Sequence, residues 1–103
     1  MPTTGDDVLE TVLVHCWESA LRRGPIGVHD DFFAAGGHSL AAMRIAHRIR
    51  SIFGIEVHYL AVLDCLTVAA QARHLRELAT SASELDEAGR AYLSTHAVSR
   101  ESA

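Results

Sequence analysis

Ser39 is the residue of this chain best placed for covalent chemistry, because it follows a two-glycine turn in Gly36-Gly37-His38-Ser39-Leu40 and opens a stretch of helical periodicity. A helix amino terminus presents unpaired N–H groups and the positive end of the backbone dipole, so a phosphate esterified to this hydroxyl would meet a favourable field. Gly36 and Gly37 bring no side chain to obstruct an approaching enzyme, and they permit backbone angles that other residues resist. The hydroxyl reads as an attachment point. The competing role is structural, since serine is a favoured helix N-cap and Gly-Gly marks turns in general.

Turnover chemistry finds no support around the same serine. Gly37-His38-Ser39-Leu40-Ala41 comes within one residue of the nucleophile-elbow pattern, but the last glycine is Ala41 and the elbow needs a strand in a far larger sheet. His38 is adjacent to the serine, and neighbouring side chains at a helix start face apart. The seven histidines (His15, His29, His38, His47, His58, His74 and His96) contain no H-x-x-x-H pair, so no metal site is expected. Cys16 and Cys65 match no zinc or redox spacing and read as reduced, packed thiols.

The positioning framework should be one small all-α domain. A chain of 103 residues that is 49% apolar, with mean hydropathy +0.12, can bury a core without resembling a membrane protein. Its amino terminus carries Asp6 and Asp7 where a signal peptide would be basic and then apolar, so a cytoplasmic location and no membrane association are expected. Thirteen acids stand against nine arginines and no lysine, which excludes a polybasic nucleic-acid surface.

Helical periodicity places the elements. From about Asp7 to Leu21, Leu9, Val12, Leu13, Cys16 and Ala20 share one face with Trp17 at its edge, and Asp6 and Asp7 suit the amino-terminal end. Arg22 to His38 is a long connection that needs pinning, and Phe32 and Phe33 are the expected plugs. From about Ser39 to Phe53, Ala41, Ala42, Ile45, Ala46, Ile49, Ile52 and Phe53 form the inner face, while Arg44, His47, Arg48 and Ser51 lie opposite. Leu40 and Met43 fall on or near the polar face beside Ser39, where a core-packing helix has little use for an apolar pair, and they read as a docking patch with His47 on its rim.

Gly54 should stop that helix, a short third helical turn fits within Val57 to Asp64, and Thr67 should cap a last core helix to about Ala79. That helix turns Val68, Ala72, Leu75, Leu78 and Ala79 inward. Beyond Thr80, Leu85, Ala88 and Tyr92 recur after a Ser83-x-x-Asp86 start signal, which allows a marginal fifth helix weakened at Gly89 by about 1 kcal/mol.

Ile26-Gly27-Val28-His29-Asp30-Asp31-Phe32-Phe33, then Gly36-Gly37-His38-Ser39-Leu40, then Ile45, Arg48, Ile49, Phe53 and Gly54 together resemble the core of the peptidyl carrier proteins of nonribosomal peptide synthesis. The resemblance spans about Val8 to Ala79 and implies an acyl-carrier-like four-helix bundle with a long first loop and a short third helix. It implies a carrier domain over residues 6–79 with a tail over 80–103, and covalent 4′-phosphopantetheine on Ser39, flanked by Gly36, Gly37, His38 and Leu40. The arm's thiol would hold an aminoacyl or peptidyl thioester, so the chain itself would not be an enzyme. A phosphopantetheinyl transferase, an adenylation enzyme and condensation or tailoring enzymes would be its partners, docking at Leu40, Met43, Arg44 and His47 of a monomer.

An acyl carrier protein of fatty-acid or polyketide type is the nearest rival, but that type usually shows Asp-Ser-Leu and an acidic second helix. Here histidine precedes the serine and no acid lies between Phe32 and Ile55. Val62-Leu63-Asp64-Cys65-Leu66-Thr67 lacks the aromatic and the proline of the usual Leu-Phe-x-x-Pro-Thr, which puts the third helix in question. The additional tail and Met1 suggest a free-standing carrier. A reading from another class is an unmodified helical interaction module using the Leu40/Met43 patch.

Overall fold

The computed structural model describes residues 8–79 and 82–96, and all regular structure among them is helical. The elements are α1 (Val8–Leu21), α2 (Ser39–Phe53), α3 (Tyr59–Asp64), α4 (Val68–Leu78) and α5 (Ala82–His96). The proposed capping positions Asp6 and Asp7 lie outside the described residues.

In α1 the apolar stripe faces inward as the periodicity requires: Leu9, Val12, Leu13 and Cys16 are fully buried. Trp17 is no edge residue but is fully buried as well. Its indole N–H donates to Gln71 Oε1 of α4 at 2.9 Å, so the one buried polar side chain of α4 serves the largest side chain of α1. Gln71 Nε2 has no hydrogen-bond partner among the described residues. The inner face of α2, from Ala41 and Ala42 through Ile45 to Ile49, completes the main core together with Val62, Val68, Ala72 and Leu75. Gly54 ends α2 at φ +72°, a left-handed angle that suits glycine, and its N–H donates to the Arg50 carbonyl.

The third helix forms without the aromatic and proline of the related motif. His58 caps it, Nδ1 accepting from the Leu60 N–H at 3.2 Å, and Val62 anchors it in the core. Thr67 caps α4 as expected, its hydroxyl accepting from the Ala70 N–H at 3.1 Å. Leu78 corrects the sequence reading: at the last turn of α4 it is 47% exposed, not turned inward.

The carboxy-terminal helix is more substantial than its sequence suggests. It runs for 15 residues and begins at Ala82, which places Ser83 inside the helix and removes the supposed capping box. Leu85 joins the main core, and Tyr92 joins Val12 and Cys16 in a second cluster. The Tyr92 hydroxyl and His15 Nδ1 are hydrogen-bonded at 2.6 Å. Gly89 also changes meaning. A Cβ there would meet Val8 Cγ1 at 2.8 Å and Val12 Cγ2 at 3.3 Å, so the residue that weakens the isolated helix lets α5 approach α1 closely.

Candidate functional site

The site begins with how the long loop is held. Asp30 Oδ2 accepts from the Gly27 N–H at 2.8 Å and Asp31 Oδ2 from the Ala34 N–H at 2.9 Å, two local turns built from the acids of the Asp-Asp-Phe-Phe run. Glu18 of α1 accepts from the Ile26 N–H at 2.9 Å, and Arg23 Nη1 donates to the Ala35 carbonyl at 3.2 Å. On the far side, the Phe32 N–H donates to the Leu66 carbonyl at 2.7 Å and the Ala69 N–H to the Val28 carbonyl at 3.0 Å. The loop is thereby fastened to α1 at one end and, in its middle, to the α3–α4 connection and the first turn of α4.

The two phenylalanines do different work. Phe32 is fully buried, edge-on to Trp17 with ring centroids 5.1 Å apart, and its burial contributes about 2 kcal/mol. Phe33 is 52% exposed and is not the second plug the sequence suggested; the backbone turn that seats Phe32 leaves its neighbour facing outward. The Gly37 N–H donates to the Phe32 carbonyl at 2.8 Å, and a Cβ on Gly37 would lie 2.5 Å from Phe32 Cε2. Gly36 has φ +97°, a backbone region that side chains rarely enter. The two glycines thus have separate structural duties, one in accepting the Phe32 ring and one in turning the chain into α2.

The N-cap of α2 is His38, not Ser39. His38 Nδ1 accepts from the Ala41 N–H at 3.4 Å, and the His38 carbonyl accepts from the Ala42 N–H at 3.0 Å. Ser39 is the first helical residue and is exposed, with its hydroxyl free of any partner among the described residues. With the capping role taken by histidine, the hydroxyl is available for modification. The first N–H groups of α2 point out of the helix end beside it, and no acidic residue lies from Phe33 through Gly54 to repel an anion. The arrangement fits a phosphodiester on Ser39.

Leu40 and Met43 are exposed by 50% and 48%, as the helical wheel required, and Arg44 and His47 are exposed on the same helix. Met43, Arg44 and His47 also line an open groove of about 1030 Å³ whose opposite wall is α5, a feature with no sequence signal short of knowing that α5 packs there. Leu40 is not among the groove's lining residues. Neither thiol lines this groove, although Cys16 packs behind Tyr92. Burial pushes the Cys16 thiol up to about 12, with Arg48 opposing, and Cys65 is raised by its partial burial and by Asp64 and Glu77. No group of three or more histidine, cysteine, aspartate or glutamate side chains that could hold a metal occurs among the described residues, and no helix among them is long and apolar enough to cross a membrane.

An all-helical fold whose second helix is capped by His38 and opens on an exposed serine suits a carrier-type domain. Residues 11–75 match the family described as phosphopantetheine attachment site, and the chain belongs to that family, whose members carry 4′-phosphopantetheine covalently. The chain is 40% identical over 68 residues to surfactin synthase subunit 3 of Bacillus subtilis (strain 168), covering 66% of this chain and 5% of that one. Among solved structures, BlmI, a type-II acyl-carrier protein from Streptomyces verticillus involved in bleomycin biosynthesis, superposes with a TM-score of 0.66 at 31% identity, over 72% of this chain and 89% of that one. A structure of McyG A-PCP complexed with phenylalanyl-adenylate matches with a TM-score of 0.61 at 28% identity, over 65% of this chain and 10% of that one. The chain spans about a twentieth of the length of surfactin synthase subunit 3, and it matches most of BlmI.

Proposed function

We propose that the chain is a discrete peptidyl carrier in which Ser39 is the attachment residue for 4′-phosphopantetheine. The observation that carries this is the exposed Ser39 hydroxyl at the first position of α2, left unoccupied because His38 supplies the cap. In priming, the Ser39 oxygen forms a new bond to the β-phosphorus of coenzyme A. The diphosphate linkage breaks, the adenosine bisphosphate leaves, and the serine proton passes to a base on the phosphopantetheinyl transferase. The bound group supplies a thiol that holds an aminoacyl or peptidyl chain as a thioester.

The chain's own residues bind and position. Gly36, Gly37 and the seated Phe32 fix the direction in which Ser39 projects, and the amino-terminal dipole of α2 favours the phosphodiester anion. Leu40, Met43, Arg44 and His47 offer an apolar and cationic docking face to the transferase, to an adenylation enzyme and to condensation or tailoring enzymes. The pairing with an adenylation enzyme is supported by the likeness to the McyG A-PCP structure. The discrete reading is supported by the likeness to BlmI, a type-II acyl-carrier protein. The reading is of a carrier acted on by other enzymes, with its function in residues 6–79, to which α5 is an addition. The absence of acids along α2 favours peptidyl over fatty-acid-type partners.

Incubation with coenzyme A and a broad-specificity transferase tests this reading. One phosphopantetheinyl mass should appear on the wild type and none on Ser39→Ala.

A further inference from the structure

The groove between α2 and α5 is built differently on its two sides. One wall carries Arg44, His47 and Arg48 of α2, the other carries the small side chains Ala88, Ala91 and Thr95 of α5, and Arg22, just past the end of α1, also lines the groove. None of the lining residues is acidic. Arg22 and Arg44 make no ion pair with a carboxylate among the described residues, although the chain as a whole is acidic at −4. The Arg48 guanidinium lies near the Tyr92 hydroxyl, which also lines the groove, and favours its ionised form. Met43 and Ile52 add apolar surface.

Cations gathered without counter-charges beside a strip of small side chains leave both volume and field for an anionic occupant. The groove's volume of about 1030 Å³ holds roughly two turns of a helix 10 Å across, and small residues along one wall permit close backbone approach. Nucleic acid suits it less well, because the acidic remainder of the chain repels an extended polyanion.

We propose that the groove formed by α2 and α5 is a docking site for an acidic amphipathic helical segment of a partner protein. The proposal extends the docking role given above to Met43, Arg44 and His47, and it holds whether or not Ser39 is primed. It assigns α5 a function: the helix supplies the second wall of a surface that α2 alone would leave flat. Salt should weaken the interaction, since the attraction is between partly exposed charges.

The test uses the full-length chain and a fluorescein-labelled synthetic peptide of about 14 residues, roughly four turns, with leucines on one face and glutamates on the other. A peptide with lysines replacing the glutamates and a single-stranded oligonucleotide of the same charge serve as comparisons, read by fluorescence anisotropy and by amide chemical-shift mapping. The acidic peptide should bind at least about tenfold more tightly than the lysine peptide and than the oligonucleotide. Shifts should centre on Met43–Ile52 and Ala88–Thr95. Arg44→Glu should reverse the preference, and Ala91→Glu, on exposed α5 surface, should abolish acidic-peptide binding while retaining the wild-type circular dichroism spectrum and priming at Ser39. Equal affinity for the two peptides, a preference for the oligonucleotide, or shifts centred on Leu60 and Leu66 would overturn the proposal. Failure of peptide binding with priming intact removes this proposal alone, whereas failure of priming with peptide binding intact removes the carrier reading alone.

Discussion

Gly37 sits against the face of Phe32 so closely that a Cβ would stand 2.5 Å from Cε2, 2.6 Å from Cδ2 and 2.6 Å from Cζ of the ring. The glycine next but one to Ser39 is therefore part of the packing of the aromatic plug, and loop anchoring and serine presentation are one structural problem. Gly37→Ala should lower stability by about 1–3 kcal/mol, since a buried ring edge-on to Trp17 has little room to retreat. Chemical denaturation checks this. The same variant should prime more slowly than its remaining folded fraction accounts for, because the first turn of α2 moves with the ring.

Met43→Asp separates docking from folding. The side chain is nearly half exposed on α2, so the change in unfolding free energy should stay within about 0.5 kcal/mol. Transfer from a partner enzyme should fall by about tenfold or more in kcat/KM, the size of a lost interface anchor. A loss of melting temperature in proportion to the loss of transfer would place Met43 in the core instead.

The two thiols should behave differently. Burial raises the Cys16 thiol to about 12, so in the native apo chain a thiol reagent should label the half-buried Cys65 and leave Cys16 untouched until unfolding. The folded pKa is raised above that of the unfolded chain, so the associated stability is fully present below pH 9.0 and is lost as pH rises toward 12. Cys65 and Tyr92 are shifted in the same direction and add to the slope. Melting curves across this alkaline range should show the decline, and Cys16→Ala should flatten it while lowering stability at neutral pH.

Gly89→Ala tests the close approach of α5 to α1. Helix propensity alone favours alanine by about 1 kcal/mol. The new methyl would meet Val8 Cγ1 at 2.8 Å and Val12 Cγ2 at 3.3 Å, so no gain in melting temperature is expected, and Gly89→Leu should release α5 outright. Loss of the Tyr92–His15 hydrogen bond, read from the histidine ring resonances, would report that release.

The helices that carry one clear apolar stripe were legible in the sequence almost to the residue: α1 from about Asp7 against Val8, and α2 over Ser39–Phe53. So was the outward placement of Leu40 and Met43, because a helical wheel fixes direction once the inner face is known. What escaped was decided by long-range packing. Phe32 and Phe33 are chemically identical neighbours, and only the backbone bonds from Phe32 to Leu66 and from Gly37 to Phe32 determine which of them enters the core. Gly89 looked like a weakness because propensity is a local property, whereas its use lies in the space it leaves for Val8 and Val12. The motif alone does not say which residue caps α2: serine is the more usual cap, and the reach of His38 to the Ala41 N–H depends on an extended backbone at φ −155° and ψ 179°. The groove, needing α5 in place, could not be read from α2 alone.

Intact-protein mass spectrometry of the wild-type chain and of Ser39→Ala, after incubation with coenzyme A and a broad-specificity phosphopantetheinyl transferase, tests the central claim most directly. One phosphopantetheinyl addition on the wild type, mapped by fragmentation to Ser39 and missing from the variant, is the predicted result. An addition that persists on Ser39→Ala, or a folded wild type that gains no mass, would contradict it.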